Sequence, residues 1–161
     1  MKIQTIIFDL MGVFLIKEMN PITHQMDYYP VNLNEIIKLL KLCKKNGHQL
    51  YVLSNLSLES YEQIKDEPQI ASLFSFFDKI MVSGMTPYKK PDPRIFSLFC
   101  STYYVAPQEA IFIDDQNDNC LAAQSIGITR TINCEEFNLI QIAQKLIDFG
   151  IISTETEEND E

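Results

Sequence analysis

At 161 residues, with a formal charge of −9 and 46% apolar side chains, the chain is long enough for one domain that removes roughly 68–70% of its unfolded surface from water. The charge excludes nucleic acid as a default partner, because a phosphate backbone is repelled unless a local basic patch overrides the global field. Cys43, Cys100, Cys120 and Cys134 stand apart, a spacing that fits neither a zinc site nor a disulfide framework and reads as reduced core thiols.

In chain order, residues 3–9 form a β-branched apolar run that ends on Asp9. No apolar stretch approaches the ~18 residues of a membrane span, and no charged, apolar and small-residue leader opens the chain, so the expectation is a soluble, cytoplasmic protein with no membrane partner. Residues 15–30, "LIKEMNPITHQMDYYP", lack a clear period and read as a large loop. Leu33, Ile36, Ile37, Leu40 and Cys43 then recur at helical spacing. This predicts a helix over 32–47, capped by Asn32 or Asn34 and closed by Gly47.

Strands are expected at Gln49–Ser54, 79–83, Ala110–Asp114 and 130–132, with helices at 57–65, Pro93–Tyr103, 119–125 and 135–149. Strands alternating with helices imply parallel βαβ units and ligand binding beyond the carboxyl ends of the strands. His24 and His48 have no acid or cysteine at ligand spacing and read as surface or strand-edge residues. The organisation is one α/β domain over 1–152 and an acidic, disordered tail over 153–161.

Four polar pieces fall at the predicted strand ends or before a helix: "FDLMGV", "VLSNLS", "KKPDPRIF" and "IFIDDQNDN". Singly each is ordinary turn or cap chemistry. As an ordered set over residues 3 to about 130 they resemble the haloacid dehalogenase (HAD) superfamily of aspartate-nucleophile hydrolases. The resemblance implies a HAD-like Rossmannoid fold, a three-layer α/β/α sandwich on a mostly parallel sheet without a full cap domain. It makes Asp9 the nucleophile that forms an aspartyl-phosphate. Lys90 would hold Asp9 and the phosphoryl oxygens, and Ser54 and the Asn55 backbone N–H would donate to those oxygens. Magnesium would be held by Asp9, Asp114, Asp115 and the Met11 carbonyl, since three acids on neighbouring strand ends repel one another and Lys90 alone does not balance them.

Met11 departs from that pattern. In most similar phosphatases the residue two past the nucleophile is a second Asp, which protonates the leaving group and activates water. A missing acid–base group typically costs about 10²–10⁴ in rate. The penalty is least for a phenolate, whose conjugate acid has a pKa of about 10, and greater for an alkoxide, nearer the 15.7 or so of water. The "FDLMGV" stretch is most similar to the branch that reads Asp-Leu-Gly-Gly-Val or Asp-Leu-Gly-Asn-Val. The interval between Asp9 and Ser54 is too short for a helical cap, so the site is expected to be open or covered by the 15–30 loop.

These residues imply a magnesium-dependent phosphatase for phosphorylated substrates that are large or have good leaving groups, phosphotyrosine and phosphoproteins among them. The alternative is a catalytically impaired relative acting as a phosphate- or metal-binding regulatory module. The tail also resembles glutamate-rich export signals of some bacterial secreted effectors, an alternative to the cytoplasm.

Overall fold

A computed structural model describes residues 2–154. Most of the acidic tail, from residue 155 on, lies outside the described residues. The centre is a five-stranded parallel sheet of β1 (Thr5–Phe8), β4 (Gln49–Ser54), β5 (Lys79–Val82), β6 (Ala110–Asp114) and β7 (Arg130–Asn133), in the order β5-β4-β1-β6-β7. Alternating side chains go to opposite faces. Ile6, Phe8, Leu50, Val52, Ile111 and Ile113 meet helices α1 (Leu33–Lys45), α3 (Pro68–Phe74) and α6 (Leu139–Asp148) on one side. Ile7, Tyr51, Leu53 and Phe112 meet α4 (Pro93–Tyr103) and α5 (Asn117–Ser125) on the other. The three-layer α/β/α sandwich expected from the sequence is thereby present.

Local chemistry explains the helix starts. Asn32, one of two predicted caps, accepts from the Glu35 N–H at 3.3 Å. Asp92 accepts from the Arg94 N–H at 3.0 Å with Pro93 in the first turn, where a missing N–H costs nothing. All four cysteines are free and buried, as read from their spacing. Among the described residues no helix is long and apolar enough to cross a membrane.

Three features differ from the sequence reading. The segment expected to be a loop is a hairpin of β2 (Leu15–Met19) and β3 (Met26–Pro30), paired antiparallel. Its root is held by Phe14, wholly buried against Phe8 and Phe77 with ring centroids 5.1 and 6.3 Å away. A short helix, α3, follows α2 (Leu58–Ile64) where one helix was expected. His48, read as a surface or strand-edge residue, stands directly before β4 but is buried, and its Nε2 lies 2.6 Å from the Ile151 carbonyl, tying the end of the described chain to the start of that strand.

Candidate active site

The sheet register assembles the site. Phe8 pairs with Val52 on one side and with Ile113 on the other. One residue further, Asp9 stands between Leu53 and Asp114, with its N–H bonded to the Ile113 carbonyl at 2.9 Å. Lys90 lies across that row. Its ammonium donates to Asp9 Oδ1 at 2.9 Å, Asp114 Oδ2 at 2.8 Å and the Leu53 carbonyl at 2.8 Å. A Lys ammonium has three donors, and all are used. A side chain 1% exposed is thus fully satisfied, as a buried charge must be.

The backbone of Lys90 is gripped by Asn55. The Asn55 carboxamide accepts from the Lys90 N–H at 2.8 Å and donates to the Lys90 carbonyl at 2.8 Å. Asn55 follows β4 and Lys90 precedes α4, so these bonds fix the ammonium relative to the strand ends. The sequence reading gave Asn55 only a backbone role and missed this one, because no local pattern marks a contact between positions so far apart.

Asp114 is wholly buried. Besides Lys90 it accepts from Asn119 Nδ2 at 3.0 Å and from the Gln116 N–H at 2.9 Å. Asp115 contrasts with it, since Asp115 Oδ1 is buried with no hydrogen-bond partner among the described residues. Gly12 makes room for that carboxylate. A Cβ at Gly12 would overlap the Asp115 carboxylate atoms, and the glycine's φ of +81° disfavours any L side chain. Asp9, Asp114 and Asp115 each offer an oxygen within 4.8 Å of the others.

Electrostatics point the same way. Burial pushes Asp9 up to about 7, with Lys90 opposing and Asp114 reinforcing the shift. Burial and the Asp114 charge push Asp115 up to about 6. Burial alone would depress Lys90, but the charges of Asp9 and Asp114 outweigh it and hold it above the ordinary lysine value. Two of the three acids thus share one ammonium, and a carboxylate oxygen of the third, Asp115, is orphaned. Oxygen ligands suit a hard divalent cation, so the donor set of Asp9, Asp114 and Asp115 fits magnesium.

Ser54 ends β4 wholly buried, with its hydroxyl unpartnered among the described residues. Over Asp9 and Lys90 lies a cleft of about 270 Å³, lined also by Met11, Lys17, Asn55 and Asp118 among others. Beside it is a second, of about 440 Å³, shared with Asp115 and the hairpin. Lys17 reaches both from β2. Sequence reasoning missed Lys17 and Asp118, because neither sits at a strand end.

Residues 29–127 match the family model for haloacid dehalogenase-like hydrolases. The chain belongs to that family. It is 26% identical over 94 residues to phosphoglycolate phosphatase 1 of Pseudomonas aeruginosa, a match covering 58% of this chain and 33% of that protein. The chain spans less than half the length of the curated relatives it matches. Among solved structures, the fold matches a predicted HAD-like family hydrolase from Porphyromonas gingivalis with a TM-score of 0.72 at 18% identity, covering 91% of this chain and 98% of that one. It also matches a HAD family enzyme from Bacteroides thetaiotaomicron, solved in complex with magnesium and inorganic phosphate, with a TM-score of 0.65 at 18% identity, covering 83% and 95%.

Proposed function

We propose that this HAD-like protein is a magnesium-dependent phosphoric monoester hydrolase in which Asp9 is the nucleophile. The observation that carries the reading is the placement of Asp9, 5% exposed at the carboxyl end of β1, on the Lys90 ammonium and within one carboxylate cluster with Asp115. Lys90 orients Asp9, and Asp9, Asp115, the Met11 carbonyl and Asp114 hold magnesium. The cation supplies charge neutralisation of the phosphoryl oxygens. Ser54 and the Asn55 N–H donate to the same oxygens.

The names of relatives support phosphate chemistry. Phosphoglycolate phosphatase 1 of P. aeruginosa and glyceraldehyde 3-phosphate phosphatase of Pyrococcus furiosus are both phosphatases by name, and the B. thetaiotaomicron enzyme binds magnesium and phosphate. No helical cap lies between β1 and α4, where only the hairpin and the sandwich's own elements occur. An open mouth suits substrates whose own bulk excludes water, phosphotyrosine in a phosphoprotein among them.

The test is hydrolysis of nitrophenyl phosphate with magnesium and with EDTA. Turnover that needs magnesium and disappears in Asp9→Asn supports the reading. An Asp9→Asn protein as fast as wild type would remove the covalent mechanism. A folded wild type that binds phosphate and magnesium without turnover would leave the binding-module alternative.

A further inference from the structure

Met11 is a thioether and has no proton to give, so the first half of the proposed reaction lacks a donor at that position. In an in-line displacement the attacking and leaving oxygens lie on opposite sides of phosphorus. Asp9 sits at the buried base of its cleft. The departing oxygen therefore faces the rim. The charged residues lining that cleft are Asp9, Lys17, Lys90 and Asp118. Asp9 attacks, and all three protons of Lys90 are engaged. The exposed rim groups are Lys17 and Asp118.

Resting on the phosphatase reading, we infer that Asp118 is the general acid–base residue of this site. The same group must give a proton to the leaving oxygen and later take one from water. Asp118 makes no side-chain hydrogen bond or ion pair among the described residues, so its carboxylate is available. It also stands on a fixed turn at the start of α5. Gln116 before it and Asn119 after it both bond to the Asp114 carboxylate, at 2.9 and 3.0 Å. Lys17 instead hangs on a flexible four-carbon stem.

The chemistry balances. A carboxylate oxygen of Asp9 bonds to phosphorus while the bond from phosphorus to the ester oxygen breaks. That oxygen keeps the electron pair, takes the Asp118 proton and leaves as an alcohol or phenol. Water then attacks phosphorus and gives a proton to the Asp118 carboxylate. The bond between phosphorus and Asp9 breaks, and phosphate departs with Asp9 and Asp118 restored.

The experiment compares wild type, Asp118→Asn and Lys17→Met with magnesium, on nitrophenyl phosphate and on phosphoserine. Asp118→Asn is expected to slow phosphoserine turnover by about 10²-fold or more. With nitrophenyl phosphate it is expected to show a burst of nitrophenolate followed by slow turnover, because the aspartyl-phosphate accumulates. Lys17→Met is expected to change KM without altering the leaving-group dependence. The magnesium-induced rise in Tm is expected to be equal in wild type and Asp118→Asn, separating this role from metal binding or folding. No burst with nitrophenyl phosphate, a changed magnesium shift, or the leaving-group effect moving to Lys17→Met would each overturn the assignment. A wild type inert toward nitrophenyl phosphate would instead bring down the phosphatase reading and this inference with it.

Discussion

Asn55 and Lys90 are joined twice, each carboxamide atom of Asn55 meeting the Lys90 backbone at 2.8 Å. The ammonium that crosses the Leu53, Asp9 and Asp114 row is therefore placed from behind. A net hydrogen bond contributes about 0.5–1.5 kcal/mol, so Asn55→Ala is expected to cost about 1–3 kcal/mol in urea unfolding. Its larger expected effect is a drop in kcat of about tenfold or more, since small misplacements of a positioned group are costly. Unfolding curves and kinetics on one preparation check both. Unchanged kcat would mean that Lys90 is held by its ammonium bonds alone.

Removing the ammonium has a larger expected consequence. Lys90→Met leaves Asp9 and Asp114 buried without their cation, and breaking a buried ion pair from one side typically costs about 3–5 kcal/mol. Magnesium can take over part of that neutralisation. The expected outcome is a protein strongly destabilised in EDTA whose Tm rises more with magnesium than wild type does, yet which stays inactive. Thermal unfolding with and without magnesium checks it, and equal magnesium shifts would argue against a cation in this cluster.

The strand-end acids and Lys90 were legible in the sequence because parallel strands deliver their last residues to one edge, and β-branched runs mark those strands. The hairpin was not. Its exposed residues, Lys17, Glu18, Met26 and Asp27 among them, blur the period-2 pattern, and its stability comes from Phe14 packing at its root. Helix α3 is seven residues long, too short for a period to stand out. The burial of His48, read as a surface or strand-edge residue, was not legible because its partner, the Ile151 carbonyl, lies at the far end of the chain.

The raised carboxyls give a pH signature. Asp9 is held near 7 and Asp115 near 6 in the metal-free fold, both pushed up first by burial, against about 3.9 for an unfolded Asp. A folded-state pKa above the unfolded one means that the native state binds the proton more tightly. This contribution is full below about 4 and is lost as pH rises toward 7. In EDTA, wild type is therefore expected to lose more stability between about pH 4 and 7 than Asp9→Asn, which keeps the Asp115 carboxyl but has no titrating group at position 9. Magnesium needs these carboxylates deprotonated, so its Tm shift is expected to grow over the same range. Parallel stability profiles for the two proteins in EDTA would contradict the shift.

Met11→Asp follows from the assignment of Asp118. If Asp118 already serves the departing oxygen, a second carboxylate in the Asp9 loop adds little, and phosphoserine turnover is expected to change less than about tenfold, well below the 10²–10⁴ or so of a newly supplied acid. In Asp118→Asn the same substitution meets a site without a donor and is expected to restore a large part of the loss. The two changes would thus be strongly non-additive, which a double-mutant cycle on phosphoserine measures. Crowding is the competing effect, since a carboxylate close to Asp9 raises the pKa of both. It would move the acidic limb of the rate profile upward without changing the dependence on leaving group, so the two effects separate experimentally. A gain of about 10²-fold from Met11→Asp in the otherwise unaltered chain would mean that no residue supplies the proton, and that the proposed reaction is confined to phosphates whose leaving groups need none.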